Sequence, residues 1–461
     1  MNVMSGLDAR FLLSETPSAH MHTIKVAVVD VSGRSEALTP DLVLAALDSR
    51  LGRMPVLRRR VVPVPHGLGN PVVIDDPDFD LRRHVRVEVL PQPGKARDLD
   101  VLIAGVASVP LPRDRPLWEL TVATGLADGQ VAFVVKIHHA LADGVAAVTL
   151  LINAFVVDDA DAVIEPFHPE QVPSRGDLYR SAAREVATAI RSLPGFARQT
   201  MTGLRDERRT RRGEAAPVLG PFAGPRTPFN VTLTPDRTFA TLTLPLATFA
   251  PAKQSTGASV NDVFLAVCAG GIRRYLDRMG ELLPTSLVAS VPVATLPGQG
   301  RLGGNHVDNL FLPLHTDLPD PVERVRAIHA STVAARHARA ALGTGLFEQR
   351  AGLVPPVLYA ATMRLWAATH LADHLRPPLN LVASSVPGPR EPLELDRGVI
   401  TALYSSGPIL EGIGLNITAW SYVDTMYISL LGCSHSLPDP WLLAYDIAAE
   451  MAELSRHLIQ P

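Results

Sequence analysis

Residues 136–147, KIHHALADGVAA, end an apolar run with two adjacent histidines, His138 and His139, followed by Asp143 and Gly144. A neutral imidazole, with an ordinary pKa near 6.5, accepts a proton from a hydroxyl or a thiol. A general base placed within hydrogen-bond reach is worth about 10² to 10⁴ in rate. Asp143, four residues after His139, could fix an imidazole tautomer or pair with a distant arginine, and Gly144 lets a neighbouring backbone approach closely. Two other readings fit the same residues. His138, His139 and Asp143 could hold a metal, although adjacent histidines diverge and no further cluster is near in sequence. Alternatively, both rings could simply satisfy backbone groups at a strand end.

Positioning such groups requires a rigid support. VAFVVKI (131–137) is almost continuously apolar, which predicts a strand buried on both faces that delivers the histidines to whatever cavity lies beyond its end. Around it, TIKVAVVDV (23–31) and LWELTVAT read as strands. TPDLVLAALDSRL reads as a helix with Thr39 as cap and Pro40 at the first position, DLDVLIAGVASVPL as another, and DGVAAVTLLINAF as a buried helix. Acids, prolines and arginine-studded text between about 158 and 228 mark a connector. Beyond it, strands are expected at TFATLTL, SLVASVPVA, NHVDNLFLPL, LNLVASSV, GIGLNITAW and TMYISLLG. Helices are expected after TGASVND, from about 320 to 376, and after LPDP. The same alternation on both sides predicts an α/β fold of two lobes, 1–160 and 229–461, joined by a connector at 161–228. A cleft between lobes is a favoured place for a substrate.

The 461 residues exceed what one core usually holds. The chain is 47% hydrophobic, yet no uncharged apolar run approaches the roughly 20 residues that span a bilayer. Its opening carries early acids and no basic leader, so a cytoplasmic location is expected, with peripheral contact to a membrane or lipid droplet as an option. The two cysteines, Cys268 and Cys433, lie in apolar text and read as small buried hydrophobes. A net charge of −3 gives no general field for nucleic acid. The arginines between 205 and 212 form either a solvated linker face or a contact for lipid headgroups or an anionic substrate.

HHALADG at the end of an apolar strand resembles the signature of the bacterial wax ester synthase/acyl-CoA:diacylglycerol acyltransferase family, within the superfamily of CoA-dependent acyltransferases. MSGLDARFLLSETPSAHMHT, RPLWEL, VNDVFLAV, SVPVATL, GGNHVDNLFLPL, SSVPGPRE and GLNITAWSY resemble further landmarks of that family in order. The resemblance implies two chloramphenicol-acetyltransferase-like α/β sandwich lobes with an active-site tunnel at their interface. It implies that His139 is the base and that His138 supports the loop. It assigns Asp143 to loop architecture, finds Gly144 intact in the motif, and makes Asn261 a candidate oxyanion donor, with helix capping as that residue's other reading. It further implies acyl-CoA as a substrate, with no cofactor, and diacylglycerol or a long-chain fatty alcohol as acceptor. Pro116, Leu117 and Trp118 read as packing residues, and Gly388 and Pro389 as a turn. Departures are Ser385 before Val386, where the family has asparagine, Pro112 in place of an acid, and His306 where glutamine is common. Two alternatives remain open. One is a related transferase using a carrier-protein donor and a polyketide or peptide acceptor; the other is a catalytically idle lipid-binding protein.

Overall fold

The computed structural model describes residues 2–33, 39–142, 146, 150, 166–188, 190–191, 224–294, 307–342, 354–395 and 398–459. Two six-stranded sheets dominate. The first runs β12 (Glu394–Leu395), β13 (Gly398–Ser406), β2 (His22–Asp30), β7 (Gln130–His138), β6 (Trp118–Thr124), β5 (Val85–Val89). The second runs β10 (Val307–Pro313), β9 (Val288–Ala294), β11 (Leu381–Pro387), β14 (Leu415–Tyr422), β15 (Thr425–Cys433), β8 (Arg237–Pro245). A small sheet of β1 (Asn2–Val3), β4 (Val72–Asp75) and β3 (Arg59–Val62) flanks the first.

Strand β7 is buried from Val131 to His138, as its apolar run predicts. The alternation of side chains explains why. Val131, Phe133, Val135 and Ile137 enter one core with Trp118 and Leu120, whereas Ala132 and Val134 face a second core with Leu99, Ile103 and Val106 of the Ala96–Ser108 helix. Lys136 lies on that second face, wholly buried, with Nζ 3.1 Å from Glu119. It also donates to the carbonyls of Val106 and Val109 at 3.1 and 2.9 Å, so one ammonium closes the end of the helix.

Most expected elements form. The Pro40–Asp48 helix starts at Thr39, whose hydroxyl accepts from Leu42 N. Leu117 and Trp118 are packed core residues, as expected, and the Trp118 indole donates to Leu57 O at 2.7 Å. Both cysteines are free and buried.

Four expectations need correction. Strands β12 and β13 lie within 229–461 but pair with each other and with β2, so the C-terminal half completes the first sheet. The helical region read from 320 to 376 is not continuous: helices span Pro321–Leu342 and Pro356–Ala368, and a short 3₁₀ turn follows at Leu371–Asp373. The helix after TGASVND, Val260–Arg278, is capped by Ser259, which exchanges hydrogen bonds with Asp262, so Asn261 is not its cap. Gly388 is required by crowding, since a Cβ there would sit 2.2 Å from Ser421 O. Most of the connector, including the arginine stretch at 205–212, lies outside the described residues. Its helical residues 175–188 pack Leu178 and Ala182 onto Val64 and Val72 of the first lobe.

The lobes meet at the Ala96–Ser108 helix. Asp100, buried, accepts from Thr241 N at 3.1 Å and Thr241 Oγ1 at 2.9 Å on β8, and from Trp441 Nε1 at 2.9 Å. Burial pushes its carboxyl up to about 6, against those hydrogen bonds and the nearby Arg97. Between roughly pH 4 and 6 the folded state therefore holds a proton that the unfolded chain has released, so this group's contribution to stability falls as pH rises through that window. Asp100→Asn removes the titration while its amide can still bridge Thr241 and Trp441. Its unfolding free energy should gain on the parent's by about 1–3 kcal/mol between pH 4 and 7. Denaturant titrations at several pH values measure this, and a pH-independent difference would contradict it.

Candidate active site

At the end of β7 the two histidines part company. His138 is completely buried on the same face as Lys136. Its Nδ1 accepts the Ala140 N–H at 3.0 Å, so the neutral ring carries its proton on Nε2. Burial holds the ring well below the ordinary imidazole range, and Arg113 and His139 push the same way. Its Nε2 stands 3.4 Å from Glu15 Oε1, close but outside hydrogen-bond geometry, and the other oxygen of Glu15 is held by Arg113. The backbone of His138 is tied as well: its N–H donates to Leu117 O and its carbonyl accepts from Leu141 N. The bland reading, a histidine satisfying strand-end backbone, is what His138 does.

His139 turns elsewhere. Its N–H donates to Met21 O at 2.9 Å, and its ring lies flat on Phe11, with centroids 4.0 Å apart at 13°. The residue is half-buried, so the ring is stacked without being sealed in the core. Phe11 belongs to the Gly6–Leu13 helix, whose Ser5 cap accepts from Asp8 N. Because the two imidazoles face different surroundings, they do not form one ligand set. Among the described residues no group of three His, Cys, Asp or Glu side chains is placed to hold a metal.

The other sequence candidates are only partly brought together. Asp143 and Gly144 lie outside the described residues. Asn261 is half-buried in the first turn of the Val260–Arg278 helix in the other lobe, and among the described residues no hydrogen bond joins it to either histidine. Its neighbour Asp262 is committed to Ser259 and to His329 Nδ1 at 2.9 Å. Ser385 is half-buried on β11, opposite Ala419 of β14.

Several polar residues around the histidines escaped the sequence reading. His22 is paired in register with His138, with ring centroids 6.1 Å apart, and the rings of His20 and His22 lie 5.5 Å apart. Neither ring nitrogen of His22 has a hydrogen-bond partner among the described residues, and burial lowers its pKa strongly. His20, His22, Ala107, Arg237, Ile409 and Leu431 line a small cleft at the seam. The segment carrying these residues is fastened to the other lobe. Glu411 accepts from Thr16 Oγ1 and Ser18 Oγ, both at 2.8 Å, and Arg237 donates to Ser18 O. The visible signal was the alternation His20-x-His22 at a strand start, within the opening block whose Met-His is itself a family landmark.

Residues 4–264 match the model of the wax ester synthase/diacylglycerol acyltransferase catalytic domain, and 303–455 that of the C-terminal domain of the same family. The chain belongs to the wax ester synthase/diacylglycerol acyltransferase family. A Mycobacterium tuberculosis protein named a diacylglycerol O-acyltransferase is 36% identical over 457 residues, covering 99% of this chain and 96% of its own. A second protein of that organism and name is 33% identical over 460 residues, covering 98% and 97%. The wax ester synthase/diacylglycerol acyltransferase from Marinobacter aquaeolei VT8 superposes with a TM-score of 0.68 at 25% identity, over 99% of this chain and 100% of that one. The first condensation domain of the calcium-dependent antibiotic synthetase shares the fold, with a TM-score of 0.56 at 16% identity over 100% and 96%. Family membership thus carries the two-lobed α/β architecture expected from the sequence, and the family is one of acyltransferases.

Proposed function

We propose that this chain transfers a long-chain acyl group from acyl-CoA to the hydroxyl of diacylglycerol, of a long-chain alcohol, or of both, with His139 as general base. The observation that carries the assignment to His139 rather than His138 is their divergence: His138 spends its Nδ1 on the Ala140 N–H inside the core, while His139 stays partly open on Phe11. In the reaction, His139 accepts the acceptor's hydroxyl proton as the oxygen attacks the thioester carbon. The tetrahedral intermediate collapses with cleavage of the C–S bond, and CoA leaves as the thiol, taking that proton back from the imidazolium. Asn261 remains the candidate donor to the oxyanion. Asp143 remains assigned to loop architecture.

Purified protein should release free CoA from palmitoyl-CoA in the presence of dipalmitoylglycerol or hexadecanol, and not with glycerol-3-phosphate. No release with any acceptor would overturn the proposal in favour of an idle lipid-binding role. A carrier-protein donor would be favoured instead if free CoA failed to compete with the acyl-CoA.

Contact with a lipid surface is part of the same proposal. No helix among the described residues is long and apolar enough to cross a membrane. The solvent side of the Pro356–Ala368 helix is nevertheless apolar: Leu358 and Leu365, two turns apart, are 58% and 60% exposed. Arg364 on the same helix and Arg376 just beyond it are exposed too. An apolar strip with exposed arginines on and just after its helix suits peripheral adsorption to anionic lipid. Flotation with phosphatidylglycerol-containing vesicles should recover the parent, and Leu358→Glu/Leu365→Glu should reduce recovery several-fold. Equal recovery of both proteins would refute the contact.

A further inference from the structure

We propose that Glu15 is a positioning residue for acyl transfer, holding His138, and through it the turn that presents His139, in one tautomer and one orientation. The proposal rests on the reading of His139 as the base.

A single stretch of chain, residues 11–22, touches both histidines from several sides. Phe11 stacks on the His139 ring, Glu15 faces His138 Nε2, Met21 O takes the His139 N–H, and His22 lies beside the His138 ring. Within this stretch Glu15 has the one anionic group brought against His138. It reaches that place because the Gly6–Leu13 helix ends just before it, with the Ser14 N–H donating to Arg10 O, and Arg113 fixes its second oxygen. The chemistry then runs in one direction along the ring. A carboxylate at Nε2 calls for N–H there, which leaves Nδ1 as the bare acceptor that the Ala140 N–H requires. Were the proton on Nδ1, it would confront the Ala140 N–H in a buried site, and the turn would lose its hydrogen bond. Because Ala140 directly follows His139, the geometry of that turn sets where the His139 ring sits.

The stretch is also clamped to the second lobe. Glu411 holds Thr16 and Ser18, Arg237 holds Ser18 O, Ser14 Oγ lies 2.8 Å from the Tyr359 hydroxyl, and Arg10 covers the Tyr359 ring at 4.4 Å. The strut therefore ties the base to the seam across which two substrates must meet. Small misplacement of a reacting group costs about 10²-fold, so a strut of this kind acts on turnover and leaves binding nearly unchanged.

The test is a cycle of Glu15→Gln, His138→Asn and the double variant, assayed with palmitoyl-CoA and the better acceptor. In His138→Asn the new amide would keep an oxygen for the Ala140 N–H but lose the ring nitrogen that faces Glu15. Each single variant should lower kcat about 10-fold or more with KM for acyl-CoA within about two-fold, and the double variant should be no worse than either single one. Glu15→Gln within two-fold of the parent in kcat, or losses that multiply in the double variant, would overturn the strut. A second readout needs no variant: ¹⁵N spectra of histidine-labelled parent should show the buried, neutral ring of His138 protonated on Nε2, and protonation on Nδ1 would overturn the proposal even if the variants failed to fold. His139→Ala separates the two levels. Turnover surviving it refutes the base assignment, whereas turnover lost there but retained in Glu15→Gln refutes the strut alone.

Discussion

His139→Ala should reduce kcat for acyl transfer by about 10² to 10⁴, while the fold remains intact. The fold should persist because His139 is half-buried and the turn is anchored by its neighbour: the His138 N–H and carbonyl, and its Nδ1, all carry hydrogen bonds that the substitution leaves alone. What is lost is the acceptor for the alcohol's proton. Without it the oxygen must attack the thioester as a neutral hydroxyl, and nothing carries the proton to the departing sulfur. Phe11 would lose the ring it stacks on, a contact worth at most about 1.5 kcal/mol, which a thermal melt would register as a small shift. Initial rates of CoA release, with circular dichroism and melting as controls, decide the matter. A variant that turns over within about ten-fold of the parent would remove His139 from the chemistry.

Glu450→Ala should destabilise the protein by about 3–5 kcal/mol, the largest effect expected away from the site. Glu450, on the Pro440–Ile459 helix, accepts from Arg324 and from Arg274 Nε, the latter at 2.7 Å. Arg324 is 1% exposed and Glu450 3% exposed, so among the described residues the substitution leaves a guanidinium inside the second lobe with the carbonyls of Leu318 and Pro319 to receive it. The helices carrying this network cross closely. A Cβ at Gly271 would lie 2.7 Å from Ile447 Cα, so the two helix backbones pack without room to close over the space the substitution leaves. The melting midpoint should fall by about 3–5 °C. Arg180→Ala, which breaks the exposed pair with Asp177, should change stability by less than about 1 kcal/mol. Similar losses from the two substitutions would show that Arg324 finds other partners or solvent.

Much of this protein was legible in its residues. The apolar run 131–137 is a strand buried on both faces because each of its faces meets a core, and apolar patterning reports that directly. Thr39 with Pro40 marks a helix start because capping is local chemistry. HHALADG, with the other landmarks, singled out the right family. Local pattern was silent about partners far along the chain. Strand β13 joins the first sheet by pairing with β2, some 370 residues earlier, and no spacing within either segment encodes that register.

The division of labour between the histidines was likewise a matter for the tertiary structure. Two adjacent imidazoles have the same chemistry on paper. One is buried because it keeps the parity of Lys136 on the face toward the Ala96–Ser108 helix, where Glu15 approaches it. The other left the strand and met Phe11. Sequence determined which residues could do the chemistry, since that depends on side-chain type and local pattern; only packing between distant segments decided how each ring is oriented, because orientation is set by contacts that no short stretch contains.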